Sequence, residues 1–178
     1  MPIPIMALCP GQGAQRVGMG RAWFDREPAA AKVFVAADDL LYDTLGRRLT
    51  EVCMNGPEDL INRTDIAQPA LFVAAVASFE GWKAHAGGSL PPLAAAAGLS
   101  LGEYTALHLA GSMSFADAVR IVALRGRAMQ DAAEASRGSM VALIGADENQ
   151  AREICAQAAP AGSGAVLVPA NFNAPGQI

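Results

Sequence analysis

Leu93-Ala-Ala-Ala-Ala-Gly98-Leu99-Ser100-Leu101-Gly102-Glu103-Tyr-Thr-Ala-Leu-His-Leu-Ala110 carries a short apolar run into a helical pattern through a serine set between two glycines. Alanine favours helix by propensity, but the brevity of the run and its glycine stop favour a strand over residues 93–97. A G-x-S-x-G pentad between strand and helix predicts a sharp turn, because small neighbours tolerate a strained backbone at the serine and lift its hydroxyl clear of the chain. The helix that follows aims its first amides at that hydroxyl, so the Leu101 N–H is placed to stabilise an oxyanion. The same pentad also occurs as a plain glycine-rich turn. The strand before it and the helix after it favour the catalytic reading.

Working outward, residues 3–9 are apolar, partly β-branched and closed by Pro10-Gly11, which predicts a buried first strand. Pro10-Gly-Gln-Gly-Ala-Gln15 is not a dinucleotide fingerprint, since the third glycine of G-x-G-x-x-G would fall on Arg16. It is either a plain turn or a loop at the carboxyl end of a central strand that lends a backbone N–H to the elbow. A helix is expected over 21–41, and a short one at Pro57-Glu-Asp-Leu60, where proline and two acids suit a helix start. Gln68-Pro69 opens an expected core helix over 70–82 that ends near Gly87-Gly88. Ser114-Phe-Ala-Asp117 has capping-box spacing ahead of a long helix running to about Ala133. Beyond Gly138, the pattern predicts a strand over 140–144, a helix over 148–158 and a strand over 165–169. That β-α-β succession reads as the opening of a second, smaller subdomain. The expected class is α/β, divided at 1–133 and 134–178.

Composition excludes several functions. The chain has 178 residues with 52% apolar content, enough to bury a substantial core. A net charge of −4, with 13 scattered Lys and Arg, gives no basic field for nucleic acid. Cys9, Cys53 and Cys155 are too far apart for a zinc site or a disulfide framework, which fits a reducing cytoplasm and no metal. The N-terminus lacks a basic leader, and no apolar run approaches the roughly 18 residues of a membrane span.

A serine hydroxyl needs a base to be nucleophilic at neutral pH. His108 lies eight residues past Ser100 on what should be one helix, roughly 12 Å along its axis, and cannot be the direct base. His85 ends the preceding helix, where a solvated imidazole interacting with helix carbonyls is expected. Arg125 shares a helix face with Ala118, Val122 and Met129, so a guanidinium interrupts an apolar stripe. It is either a structurally paired, snorkelling arginine or a receptor for a substrate carboxylate, which its planar fork suits better than lysine would.

Five motifs in order, Pro10-Gly-Gln-Gly-Ala-Gln15, Gln68-Pro-Ala-Leu71, Gly98-Leu-Ser-Leu-Gly-Glu-Tyr104, Leu124-Arg-Gly126 with Met129-Gln130, and Asn171-Phe-Asn-Ala-Pro-Gly-Gln177, closely resemble the N-terminal portion of the free-standing bacterial malonyl-CoA:acyl carrier protein transacylases. The resemblance implies an incomplete α/β-hydrolase-like large subdomain followed by the first part of a ferredoxin-like small one. It implies a ping-pong reaction in which malonyl passes from coenzyme A to Ser100 and then to the phosphopantetheine thiol of acyl carrier protein, in fatty acid biosynthesis. Malonyl-CoA and the carrier protein are the implied partners, with the coenzyme A thioester as substrate and no bound cofactor. By the same likeness Arg125 holds the malonyl carboxylate, the backbone N–H groups of Gln12 and Leu101 form the oxyanion hole, and Gln68 and Asn171 line the cleft.

Two departures stand out. The family often has His immediately before the serine, where this chain has Leu99. Family members also continue past the Asn-Phe-Asn motif to the catalytic His, whereas this sequence stops at Ile178, so a fragment with little or no transferase activity is expected. A serine hydrolase of the α/β-hydrolase type, a non-catalytic carrier-protein or coenzyme A binding module, and a synthase acyltransferase domain are the competing readings.

Overall fold

A computed structural model describes residues 3–136 and 138–178. The chain is mixed α/β and divides into two compact units, Met1–Ser136 and Arg137–Ile178.

In the first unit, β1 (Ile5–Cys9) leads to α1 (Arg21–Phe24), α2 (Pro28–Leu45), α3 (Leu49–Asn55), α4 (Glu58–Ile61) and α5 (Thr64–His85). The chain then returns as β2 (Leu93–Gly98), α6 (Leu101–Leu109) and α7 (Phe115–Ala135). β1 and β2 pair in parallel, from Ile5 opposite Leu93 to Cys9 opposite Gly98, so the two loops that leave their carboxyl ends start side by side. α6 packs on both strands.

The core is helical. α5 runs through its centre between α2 and α7, and Phe34, Leu41, Phe72, Val73, Val76, Val119 and Val122 are fully or almost fully buried there. Each such side chain contributes about 1.5–3 kcal/mol on leaving water, which is what fixes these helices and, through them, the residues they carry. The opposite surface of β1 is open, with Met6 58% and Leu8 77% exposed, although parallel sheets are ordinarily covered on both faces. A groove of about 620 Å³ between β1, α1, α5 and α6 is lined by Leu8, Trp23, Phe79 and Trp82.

The helix expected over 21–41 is two helices. The chain turns at Asp25-Arg26-Glu27, and Pro28 starts α2 at the one helical position where its missing N–H costs nothing. α3 has no counterpart among the sequence expectations, although Leu49, Val52 and Cys53 fall at helical spacing and are buried. α5 begins at Thr64, upstream of the expected opening at Gln68-Pro69. Pro69 removes only the bond to the Asp65 carbonyl, and burial on both sides carries the helix through it. Ser114 caps α7 by accepting from the Asp117 N–H at 3.1 Å, and its own hydroxyl donates to the Asp117 carboxylate.

In the second unit, α8 (Glu148–Ala158) spans the expected residues and opens with a reciprocal capping box between Asp147 and Gln150. The flanking strands expected over 140–144 and 165–169 are not formed. Val141 is 76% and Val166 89% exposed, and without a partner strand their β-branched pattern has no ladder to join. Ile144 makes an isolated antiparallel bridge with Gln177, and Leu143 and Ile178 exchange backbone hydrogen bonds.

Candidate active site

Ser100 is the only non-glycine with positive φ among the described residues, at φ 55° and ψ −110°. Side chains rarely adopt this backbone, which costs on the order of 1–3 kcal/mol and persists only where the surroundings enforce it. The enforcement comes from the two glycines. A Cβ on Gly98 would overlap the Gly102 carbonyl group, and one on Gly102 would overlap the Cys9 carbonyl oxygen. Strand end, elbow and first helical turn are thus packed backbone on backbone. The pentad spacing is a steric requirement here.

This packing exposes Ser100 and makes Leu101 the first residue of α6, where backbone amides have no intrahelical acceptor. The loop after β1 runs alongside, since a Cβ on Gly11 would stand 3.1 Å from the Leu99 carbonyl oxygen. Gln12 follows in that loop, its side chain donating to Thr64 Oγ1 at 3.3 Å and accepting from Gln68 Nε2 at 3.4 Å.

Arg125 reaches the elbow from α7. Its Nη2 donates to Ser100 Oγ at 2.9 Å and its Nη1 to Gln68 Oε1 at 2.6 Å, while the guanidinium carbon stands 5.8 Å from the centre of the Tyr104 ring. Gln68 is fully buried, and its amide nitrogen also faces Met129 Sδ at 3.1 Å. A guanidinium has five N–H donors. With two committed to protein oxygens, three remain, enough for a two-pronged carboxylate.

Ser100, Leu101, Gln12, Gln68 and Arg125 therefore meet at one place. Asn171 belongs to the second unit, where it is exposed in an irregular segment. Neither histidine joins Ser100. His108 Nδ1–H donates to the Met113 carbonyl at 3.0 Å and packs edge-on against Phe72 and Phe115. His85, expected to interact with helix carbonyls, instead donates to Glu27 Oε1 at 2.9 Å and meets the Trp23 ring edge-on. The 620 Å³ groove is lined by neither Ser100 nor Arg125. Among the described residues no cluster of His, Cys, Asp and Glu could hold a metal ion, and no helix is long and apolar enough to cross a membrane.

Tyr104, Met129, Thr64 and Gln130 take part in this network, although no role was expected for them. Met129 lies four residues beyond Arg125 on α7, a spacing that places them on the same helical face, and Tyr104 falls in the first turn of α6 after Ser100. No local pattern pointed to the Thr64–Gln130 contact, which joins residues far apart in the chain.

The site is thus a strained, glycine-packed serine at a strand-to-helix turn, facing a guanidinium and beside the loop that follows β1. Residues 7–169 match the acyl transferase domain model, and the chain belongs to that family. It is 43% identical over 169 residues to the malonyl CoA-acyl carrier protein transacylase of Escherichia coli O157:H7, covering 95% of this chain and 52% of the relative. The crystal structure of a malonyl-CoA:acyl carrier protein transacylase from Xanthomonas oryzae superposes with a TM-score of 0.83 at 41% identity, over 99% of this chain and 54% of that one. A malonyl-transacylase solved in complex with its type II PKS acyl-carrier protein gives a TM-score of 0.77 at 35% identity, over 98% of this chain and 53% of that one. The chain spans about half the length of the relatives it matches.

Proposed function

We propose that this chain carries the nucleophile and carboxylate-binding part of an enzyme that moves malonyl from coenzyme A to the phosphopantetheine thiol of acyl carrier protein, in fatty acid biosynthesis in the cytoplasm. One observation carries the reading: the Arg125 guanidinium stands at hydrogen-bond distance from Ser100 Oγ. A thioester whose carbonyl carbon sits at that oxygen places an acyl group's distal carboxylate within reach of the remaining donors.

In the proposed reaction Ser100 Oγ attacks the thioester carbonyl carbon, and its proton leaves to a base. The Gln12 and Leu101 amides receive the negative charge of the tetrahedral intermediate. Collapse breaks the carbon–sulfur bond, coenzyme A leaves as a protonated thiol, and malonyl remains as an ester on Ser100. The pantetheine thiol of the carrier then attacks that ester and releases the serine. Gln68 lines the cleft behind Arg125; for Asn171 the support is motif likeness alone. The unit Met1–Ser136 is taken as the first part of an α/β-hydrolase-like large subdomain, and Arg137–Ile178 as the opening of a ferredoxin-like small one.

His85 bonds Glu27 and His108 the Met113 carbonyl, so neither is the base in this reading. Oxyanion stabilisation and binding alone retain a residual rate, roughly 10³–10⁴ above water. The same observation favours a binding module as the second reading. Incubation with malonyl-CoA and a holo carrier protein separates the possibilities. Malonyl-carrier accumulating faster than free malonate supports the transferase, malonate alone would mark a hydrolase, and carrier binding with no acyl movement would mark a binding module.

A further inference from the structure

We infer that the close approach of α7 to the first turn of α5, made possible by Gly126 and locked by Gln130, is the device that aims Arg125 at Ser100. This deepens the reading of Arg125 as a carboxylate receptor and rests on it. Gly126 is buried on the face of α7 next to Arg125. A Cβ there would stand 2.9 Å from the Thr64 carbonyl oxygen, 3.2 Å from Asp65 Cα and 3.4 Å from Gln68 Cβ, so the two helices touch through backbone. Four residues on, Gln130 Oε1 accepts from the Thr64 N–H at 3.0 Å. Thr64 opens α5, its Arg63 N-cap makes no side-chain capping bond, and a first-turn amide has no acceptor within its own helix. Gln130 thus caps α5 from the neighbouring helix and sets how far α7 slides along it.

Between these contacts lie the two that matter for the guanidinium. Gln68 on α5 accepts from Arg125 Nη1 and faces Met129 Sδ, both on α7. A long arginine side chain has much rotamer freedom to lose, and a fork held at one nitrogen by a buried amide loses it before substrate arrives. A small outward shift of α7 would leave Gln68 Oε1 without its donor and free Arg125 to turn toward solvent. Gly126 and Gln130 are positioning residues. They touch neither Ser100 nor the space in front of it.

The test is the ratio of dissociation constants for acetyl-CoA and malonyl-CoA, measured by calorimetry on this chain and on Gly126→Ala, Gln130→Ala, Gln130→Glu and Arg125→Ala. The chain itself should prefer malonyl-CoA, and Arg125→Ala should abolish the preference. Gly126→Ala and Gln130→Ala should lower it roughly 10-fold with acetyl-CoA affinity unchanged, the size of one charge-assisted contact. Gln130→Glu, which keeps an acceptor for the Thr64 N–H, should retain it. If Gly126→Ala fails to fold, the Gln130 pair decides alone. A preference untouched by Arg125→Ala would overturn the carboxylate reading and this inference together. A preference lost in Arg125→Ala but intact in Gln130→Ala, or a fall in both affinities alike, would overturn this inference only.

Discussion

Arg125 on α7 and Ser100 at the turn before α6 are joined by a 2.9 Å hydrogen bond although they stand 25 positions apart. The bond places a permanent positive charge beside the Ser100 hydroxyl. Lysine can place a charge there but cannot hold Gln68 and a two-pronged carboxylate together, because its ammonium is a single point. Arg125→Lys is expected to cut the malonylation rate of Ser100 at least about 10-fold while leaving acetylation from acetyl-CoA within about 2-fold. Competition between the two thioesters, followed by intact-protein mass, measures this. Equal losses for both acyl groups would remove Arg125 from carboxylate recognition.

The strain at Ser100 should be visible in stability. Ser100→Gly relaxes a backbone that costs on the order of 1–3 kcal/mol, offset by the extra freedom glycine has when unfolded, for a net gain of about 1 kcal/mol. Ser100→Ala removes the hydroxyl and keeps the strain, so it should show no such gain. Urea midpoints of the two variants decide the matter, and a glycine variant no more stable than the alanine one would mean that position 100 is unstrained.

Gly102 has the opposite sensitivity. A methyl group there must displace the Cys9 carbonyl, which is backbone at the end of β1 and cannot swing aside. Gly102→Ala should lose about 3 kcal/mol or more, as overpacking against main chain does. Denaturant melts check this directly, and a variant within 1 kcal/mol of the parent would show the elbow to be looser than its geometry implies.

Cys53 gives a pH prediction. Burial, assisted by the Asp38 carboxylate, pushes its thiol up from 9.0 to about 12. The unfolded chain loses this proton near pH 9 while the folded chain keeps it, so folding is favoured below that point and weakens as pH rises toward 12. The slope from this group is about 1 kcal/mol per pH unit inside the window. Cys53→Ala should flatten the fall in stability between pH 9 and 11 relative to the parent, compared as urea midpoints across that range. Parallel curves would show that the thiol is not shielded.

What could be read in the sequence was what depends on neighbours along the chain. The elbow was legible because glycine, serine and glycine at fixed spacing leave the backbone few options, and α8 because its helical pattern over 148–158 is local. The break at Asp25-Arg26-Glu27 was missed although three charged residues and Pro28 interrupt the apolar residues there. Pro69 misled in the other direction, since burial of α5 outweighs the bond it removes. The strands expected over 140–144 and 165–169 had strand-like composition, but a strand is a pairing and composition does not supply the partner. Within the site, single residues stood out by chemistry, whereas the Gln130–Thr64 and Gln68–Met129 contacts arise only once α5 and α7 are packed.

The most direct measurement is the intact mass of the chain after incubation with malonyl-CoA, with the modified peptide mapped and Ser100→Ala run in parallel. One malonyl group should be gained slowly, on Ser100, be absent from the alanine variant, and be gained faster at pH 9 than at pH 7, because hydroxide takes the proton that neither His85 nor His108 is placed to receive. A mass gain equal in the two proteins, or none in either after prolonged incubation, would contradict this assignment of Ser100.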